Sequence, residues 1–168
     1  MRRYAEDTTV PIAKSRQEIN ELLRTWGGAG VSWGESFESG DVELKFGWRR
    51  GGVNGVGGMM FKARLCVKLE PMEKLREAAK DQRRYDHPIC EGKLAKLIES
   101  RGRREHRLLL LWLKAAFNAV DAGLVSAEEV FLPFLEGPDG RTVGEMAIPQ
   151  LERLFSESAD HLLPEHTP

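Results

Sequence analysis

The chain has 168 residues, a length that suits one domain with a substantial hydrophobic core. Hydrophobic residues make up 41% of it and charged residues 30%, a composition that excludes wholesale disorder. A formal net charge of −1 argues against a protein that binds polyanions through its overall charge.

Cysteine usage and hydropathy indicate the cellular compartment. Cys66 and Cys90 are too few for a disulfide scaffold, and they do not form the paired Cys and His motifs of a zinc site. The longest apolar run, residues 108–113, is far shorter than the roughly 18 residues that a membrane span needs, and it predicts a buried helix face. We therefore expect a protein of a reducing cytoplasm, without a membrane partner.

The charges are unevenly distributed along the chain. Residues 121–168 hold ten acids and two bases, a net charge of −8, whereas residues 1–120 carry a net charge of +7. Such asymmetry indicates either a nucleic-acid partner or two parts of one protein that attract each other. The second interpretation is the favoured one.

The first predicted element is a helix that begins near residue 15. Residues 1–14 are predicted to be extended because Pro11 disfavours an early helix. Ser15 and Glu18 have the spacing of a capping box, in which each side chain satisfies a free backbone N–H at the helix start. Gly27 and Gly28 are expected to end the helix. The apolar residues between these signals recur at the spacing of one helix face: Ile19, Leu22, Leu23 and Trp26.

Three strands are predicted next, the first over residues 31–37 and followed by turn residues 39–41. In the second and third strands apolar and mostly charged residues alternate, which predicts a sheet with one buried and one solvated face. Residues 51–58 hold five glycines and are predicted to form a mobile hairpin loop. The apolar positions of the two strands are Val42, Leu44, Phe46, Trp48, Phe61, Ala63, Leu65, Val67 and Leu69.

The rest of the chain is predicted to be helical. Residues 72–84 form a marginal helix or a linker, and residues 91–122 form one helix or two, with Gly102 as the possible break and Gly123 as the end. Two capping boxes, Ser126 with Glu129 and Thr142 with Glu145, open a short helix that stops near residue 133 and a last helix over residues 143–155.

The predicted fold is therefore α+β: an N-terminal helix, a three-stranded antiparallel meander, and a helical C-terminal half packed on one face of the sheet. All 168 residues are assigned to a single domain. Residues 1–70 form the helix and sheet, 71–90 a linker or marginal helix, 91–158 the helical part and 159–168 a tail.

Two stretches carry a resemblance to a known group. One is Tyr4 to Pro11 together with Ser15, Arg16, Glu18 and Ile19; the other is residues 108–115, Val120 to Gly123 and Pro138 to Glu145. In these stretches the chain resembles a group of small uncharacterised proteins encoded by bacteriophages and prophages. Between Arg49 and Arg103 it departs from them, since they have a shorter hairpin in place of the glycine-rich loop. The resemblance implies an accessory protein of the phage type in the cytoplasm of a bacterial host cell, and it implies no catalytic residues.

No catalytic constellation is recognisable in the sequence. The four histidines, at positions 87, 106, 161 and 166, are scattered, and no HExxH or GxSxG motif is present. A distant histidine paired with Cys66 or Cys90 is the enzyme alternative that the sequence leaves open. We predict a protein without catalytic activity, cofactor or metal.

Basic residues supply the candidate nucleic-acid site. The first group lies on the solvated face of the second and third strands, and the second group lies along the helix after residue 91. No aromatic residue is in register with the solvated face, where proteins that bind single strands place their stacking platforms. The candidates are Lys45, Arg49, Lys62, Arg64 and Lys68 in the first group, and Arg101, Arg103, Arg104 and Arg107 in the second.

The preferred hypothesis is a non-catalytic phage-type or prophage-type accessory protein that contacts nucleic acid or a nucleic-acid-handling complex. The alternative is a protein-interaction or inhibitory module that acts without nucleic acid, by binding a host, phage or defence protein or by self-assembly into a homo-oligomer.

Overall fold

The computed structural model describes residue 5 and residues 8–36, 41–50, 59–67, 71–80 and 88–159. Several predicted features lie outside these ranges: most of turn 39–41, the glycine-rich loop 51–58, Lys68, Leu69, His87 and residues 160–168. The described elements are α1 (Ile12–Thr25), β1 (Gly30–Glu35), β2 (Val42–Arg50), β3 (Met59–Val67), α2 (Met72–Ala79), α3 (Glu91–Asp121), α4 (Ala127–Phe131), a 3₁₀ turn (Leu132–Phe134) and α5 (Val143–Ala159). This order confirms the predicted α+β fold.

The sheet is an antiparallel meander in the order β1-β2-β3. Strands β2 and β3 pair with Leu44 opposite Leu65 and Lys45 opposite Arg64, so the predicted alternation is confirmed. Strand β3 begins at Met59, two residues before the first predicted position, and β1 ends at Glu35 instead of residue 37. The predicted end of β3 at Leu69 lies outside the described residues. On β2 the inward side chains Val42, Leu44, Phe46 and Trp48 are all buried.

Helices cover the apolar face of the sheet. Ile19 and Leu23 of α1, Leu113 and Phe117 of α3, and Phe131 of α4 are almost fully buried and join the sheet side chains in one core. Phe131 packs edge-on against Phe46, with ring centroids 5.3 Å apart, and Phe117 lies 4.4 Å from the ring of Trp26. The helical half is therefore held by aromatic packing as well as by aliphatic burial.

The predicted start of the first helix is wrong. Helix α1 begins at Ile12, directly after Pro11, because proline is compatible with the first helical turn, where its missing N–H is not needed. Ser15 therefore lies inside the helix: it is fully buried, and its hydroxyl has no hydrogen-bond partner among the residues that the structure describes. Glu18 binds Arg107 of α3 across 3.0 Å and does not close a cap. The predicted end is confirmed, since Gly27 has a φ of +93°.

Residues 91–121 form one helix of 31 residues, so Gly102 does not break it. A Cβ atom at Gly102 would lie 2.7 Å from Cδ1 of Ile12, which shows that this glycine lets α1 approach α3 closely. Packing between the two helices compensates for the roughly 1 kcal/mol that glycine costs in a helix. Gly123, with a φ of +69°, follows the helix end as predicted.

Both C-terminal capping boxes are confirmed. Glu129 N donates to Ser126 Oγ over 3.2 Å while Ser126 N donates to the Glu129 carboxylate over 2.7 Å. Thr142 and Glu145 make the same reciprocal pair, at 2.8 and 3.2 Å. Helix α5 extends to residue 159, beyond the predicted limit, with Pro149 inside it. Across the part of the chain that the structure describes, no helix is both long and apolar enough to cross a membrane.

Candidate interaction surfaces

The polar face of the sheet carries two of the predicted cations next to each other. Lys45 on β2 lies opposite Arg64 on β3. Lys45 Nζ donates to Glu136 over 3.2 Å and lies 3.5 Å from Glu43. The bond to Glu136 and the nearby acids raise the pKa of Lys45, although partial burial opposes them. Arg64 binds Glu145 and lies 3.7 Å from Glu43.

Residues 135–145, which we call the clasp, bring these C-terminal acids to the sheet. Glu136 N donates to the carbonyl of Lys62 over 2.8 Å, and Leu135 bridges Ala63 at the outer edge of β3. The backbone N–H of Thr142, together with Arg64, lowers the pKa of Glu145. Acids of the C-terminal half thus meet bases of the N-terminal half within one chain. This contact agrees with the favoured interpretation of the charge asymmetry.

The other described members of the first group differ from Lys45 and Arg64. Arg49 is exposed and Lys62 is half-buried, both on the polar face. Among the residues that the structure describes, neither of these two cations forms an ion pair. Lys68, the remaining member, lies outside the described residues.

The predicted arginine group on α3 does not form one free cationic surface. Arg101 is buried, with 6% of its surface exposed. The other three arginines each bind a carboxylate of the same chain. Those pairs join Arg103 to Glu99 at 2.7 Å, Arg104 to Glu105 at 2.7 Å, and Arg107 to Glu18 at 3.0 Å.

His106 lies in a buried contact between α1, β1 and α3. Its Nδ1 is 2.7 Å from the carbonyl of Gly102, and its Nε2 accepts a bond from Arg16 Nε at 2.9 Å. Its ring stacks on Trp33, with centroids 5.7 Å apart. Burial is the main cause that lowers the pKa of His106, and Arg16 adds to it. The neutral ring therefore donates from Nδ1 and accepts at Nε2, a structural arrangement with both nitrogens occupied.

The sulfur and carboxylate groups show little that resembles a catalytic centre. Cys66 and Cys90 are exposed and are not joined in a disulfide, whereas His106 is 3% exposed and both of its nitrogens are engaged. Within the described ranges, no group of three or more His, Cys, Asp and Glu residues is placed to hold a metal ion.

A shallow groove of about 380 Å³ lies on the polar face of the sheet. Gly30 and Gly47 face each other across β1 and β2 and form its floor, since neither has a side chain to fill it. Met60, which is 40% exposed, and Lys62 form one wall, and the clasp residue Glu136 borders it. We call this feature the glycine groove.

Helix α5 carries an apolar face that is exposed to solvent. Ile148, Leu151, Leu154 and Phe155 are exposed to 54%, 47%, 59% and 72%, and they lie on one side of the helix. We call these four residues the α5 stripe. Sequence reasoning predicted the helix but missed the stripe, whose signal was the spacing of positions 148, 151 and 155.

The same face of α5 is packed at its beginning. Gly144 lies one turn before Ile148, and a Cβ atom at Gly144 would be 2.8 Å from the carbonyl oxygen of Pro133. The first turn is thus pressed against the 3₁₀ turn and fixed by the Thr142 cap and by Glu145. Farther along this face, beyond the first turn, the large apolar side chains of the α5 stripe are exposed to solvent.

Comparison with known proteins gives no relative: no family model, no curated protein and no solved structure matches this chain. The resemblance to phage and prophage proteins stays a prediction from the sequence.

Proposed function

We propose that this protein is a protein-interaction module that docks through the α5 stripe, an accessory role of the kind that the phage-type resemblance implies. The observation that carries the proposal is the change along one face of α5. Gly144 is packed on Pro133, whereas Ile148, Leu151 and Phe155 farther along the same face are exposed. Contiguous exposed apolar surface of this kind marks interaction sites.

The stripe offers apolar burial energy to a partner. Burying a whole Leu, Ile or Phe side chain contributes about 1.5–3 kcal/mol, so burying the exposed half of four such side chains contributes about 3–6 kcal/mol. Association costs about 4 kcal/mol or more in lost translational and rotational freedom, so contacts around the stripe must add to this energy. The stripe therefore supplies the apolar centre of an interface, and polar neighbours such as Gln150 and Glu152 supply its rim.

Ion pairing supports this proposal over nucleic-acid binding as the main activity. Phosphate contacts require cations that are free to exchange counterions for phosphate. Five of the nine predicted cations already bind carboxylates of this chain, namely Lys45, Arg64, Arg103, Arg104 and Arg107.

Nucleic-acid contact remains a second candidate because Arg49 and Lys62 flank the glycine groove without an ion pair among the described residues. Its test is the anisotropy of labelled single- and double-stranded oligonucleotides at about 50 and 200 mM salt. Binding that weakens with salt and is lost in Arg49→Glu, but not in the control Arg103→Glu, would support it. Absence of binding at the lower salt would contradict it.

The main proposal is tested by photo-crosslinking in cells. A photoreactive amino acid is placed at Phe155 in the stripe or at Ser156, which is exposed about 100° farther around α5 and outside the stripe. We expect position 155 to yield a discrete cross-linked protein product and position 156 to yield none. Equal products, or no product, at both positions would contradict docking through the stripe.

A further inference from the structure

We infer that the occupant of the α5 stripe is a second copy of this chain, which receives the stripe in its glycine groove. The inference rests on the proposed function and deepens it by naming the partner and the receiving surface. In the contact, the stripe of one copy lies across the polar sheet face of the next copy.

The two surfaces fit each other in shape. The glycine groove is open because Gly30 and Gly47 lack side chains, and at Gly30 an added Cβ atom would meet no atom within 4 Å. A groove of about 380 Å³ admits the tips of a few large side chains. Leu151 and Phe155 project from α5, and their side chains are large and exposed in their own chain.

Charge favours the same pairing. Arg49 and Lys62 beside the groove have no acidic partner among the described residues. Glu152 on the edge of the stripe is likewise an exposed acid for which the described chain offers no base. The acidic C-terminal half of one copy therefore meets the basic N-terminal half of the next, and the attraction is greatest at low salt.

Charge also separates this contact from a symmetric pair of α5 helices. An antiparallel pair centred on Leu151 would place the two Glu152 side chains on the same flank, where like charges repel. A stripe-to-groove contact avoids that repulsion. It is heterologous, so each copy keeps one unused stripe or groove and association continues beyond the dimer unless the ring closes.

The test uses two variants that each remove one of the two surfaces. Leu151→Glu places a charge in the stripe, and Gly30→Tyr fills the groove without backbone strain, since Gly30 does not have a positive φ. The matched controls are Ser156→Glu, outside the stripe on α5, and Gly34→Tyr, on the same strand face outside the groove. Circular dichroism melts establish that all four variants fold.

Sedimentation velocity measures the oligomeric state of each variant over a roughly hundredfold range of protein concentration. We expect the wild type and both controls to self-associate, and each surface variant alone to be monomeric. An equimolar mixture of Leu151→Glu and Gly30→Tyr should form a dimer and nothing larger, because one variant keeps the groove and the other keeps the stripe.

Three results would overturn the inference. They are a wild type that is monomeric throughout, a Gly30→Tyr variant that still dimerises, and a mixture that stays monomeric. A monomeric wild type that still cross-links through Phe155 to a different protein would overturn the second-copy assignment but leave the proposed function standing. Loss of that cross-link as well would remove both.

Discussion

Replacing Ser15 with alanine distinguishes a helix start from a helix interior. If Ser15 capped α1, the substitution would cost about 1 kcal/mol of the free energy of unfolding. In the structure its hydroxyl is buried without a partner inside α1. Alanine is the better helix former by about 0.5 kcal/mol, and burial of an unpaired polar group costs about 1–3 kcal/mol. We therefore expect Ser15→Ala to stabilise the protein by about 1 kcal/mol or more.

Ser126→Ala is the matched control, because Ser126 is the genuine N-cap of α4. It should cost about 1 kcal/mol. For a chain of this length, 1 kcal/mol corresponds to about 2–4 °C in Tm, so the two variants should melt about 4–8 °C apart, on opposite sides of the wild type. Thermal and urea denaturation followed by circular dichroism measures both. If Ser15→Ala loses as much stability as Ser126→Ala, Ser15 acts as a cap and does not lie unpaired in the helix interior.

Two further predictions concern the start of α5 and the buried histidine. Gly144→Ala should lower Tm although alanine favours helices, because the added Cβ would press on the Pro133 carbonyl. The control Gly92→Ala meets open space and should not lower Tm. Equal Tm values for the two variants would contradict the packing of α5. Because the pKa of His106 is lowered in the folded state, its stabilising contribution is complete above the unfolded value of about 6.5 and is lost as pH falls through the folded pKa. His106→Gln should therefore flatten the fall in urea-unfolding free energy below about pH 6.5, and an unchanged slope would show that neutral His106 beside Arg16 does not contribute.

The sheet and the C-terminal caps were predictable because local signals decide them. Burial of one sheet face requires an apolar residue at every second position of β2 and β3, so the alternation is visible in the sequence. The capping boxes at Ser126 and Thr142 each follow a turn, and no helix directly before them competes for the same residues. The same pattern at Ser15 misled, because residues 12–14 can be helical too and packing of α1 on α3 draws Ser15 inside. Gly102 was equally ambiguous, since only its contact with Ile12 reveals why a glycine stands there.

The candidate site was less predictable because it depends on contacts between distant parts of the chain. Lys45 and Arg64 read as free cations until the clasp places Glu136 and Glu145 beside them. The spacing of the apolar positions in α5 predicts one apolar face but does not say whether anything covers it. Burial supplies that information, and it places Leu151 in solvent.

Photo-crosslinking at Phe155 and Ser156 is the most direct test of docking through the α5 stripe. These neighbours are both exposed, yet they lie on different sides of α5, so they differ in whether they belong to the stripe. We expect a discrete protein cross-link from position 155, and we expect it to disappear when Leu151 is replaced by glutamate. Position 156 should give no cross-link. Cross-links of equal yield from the two positions, or none from either, would contradict docking through the stripe.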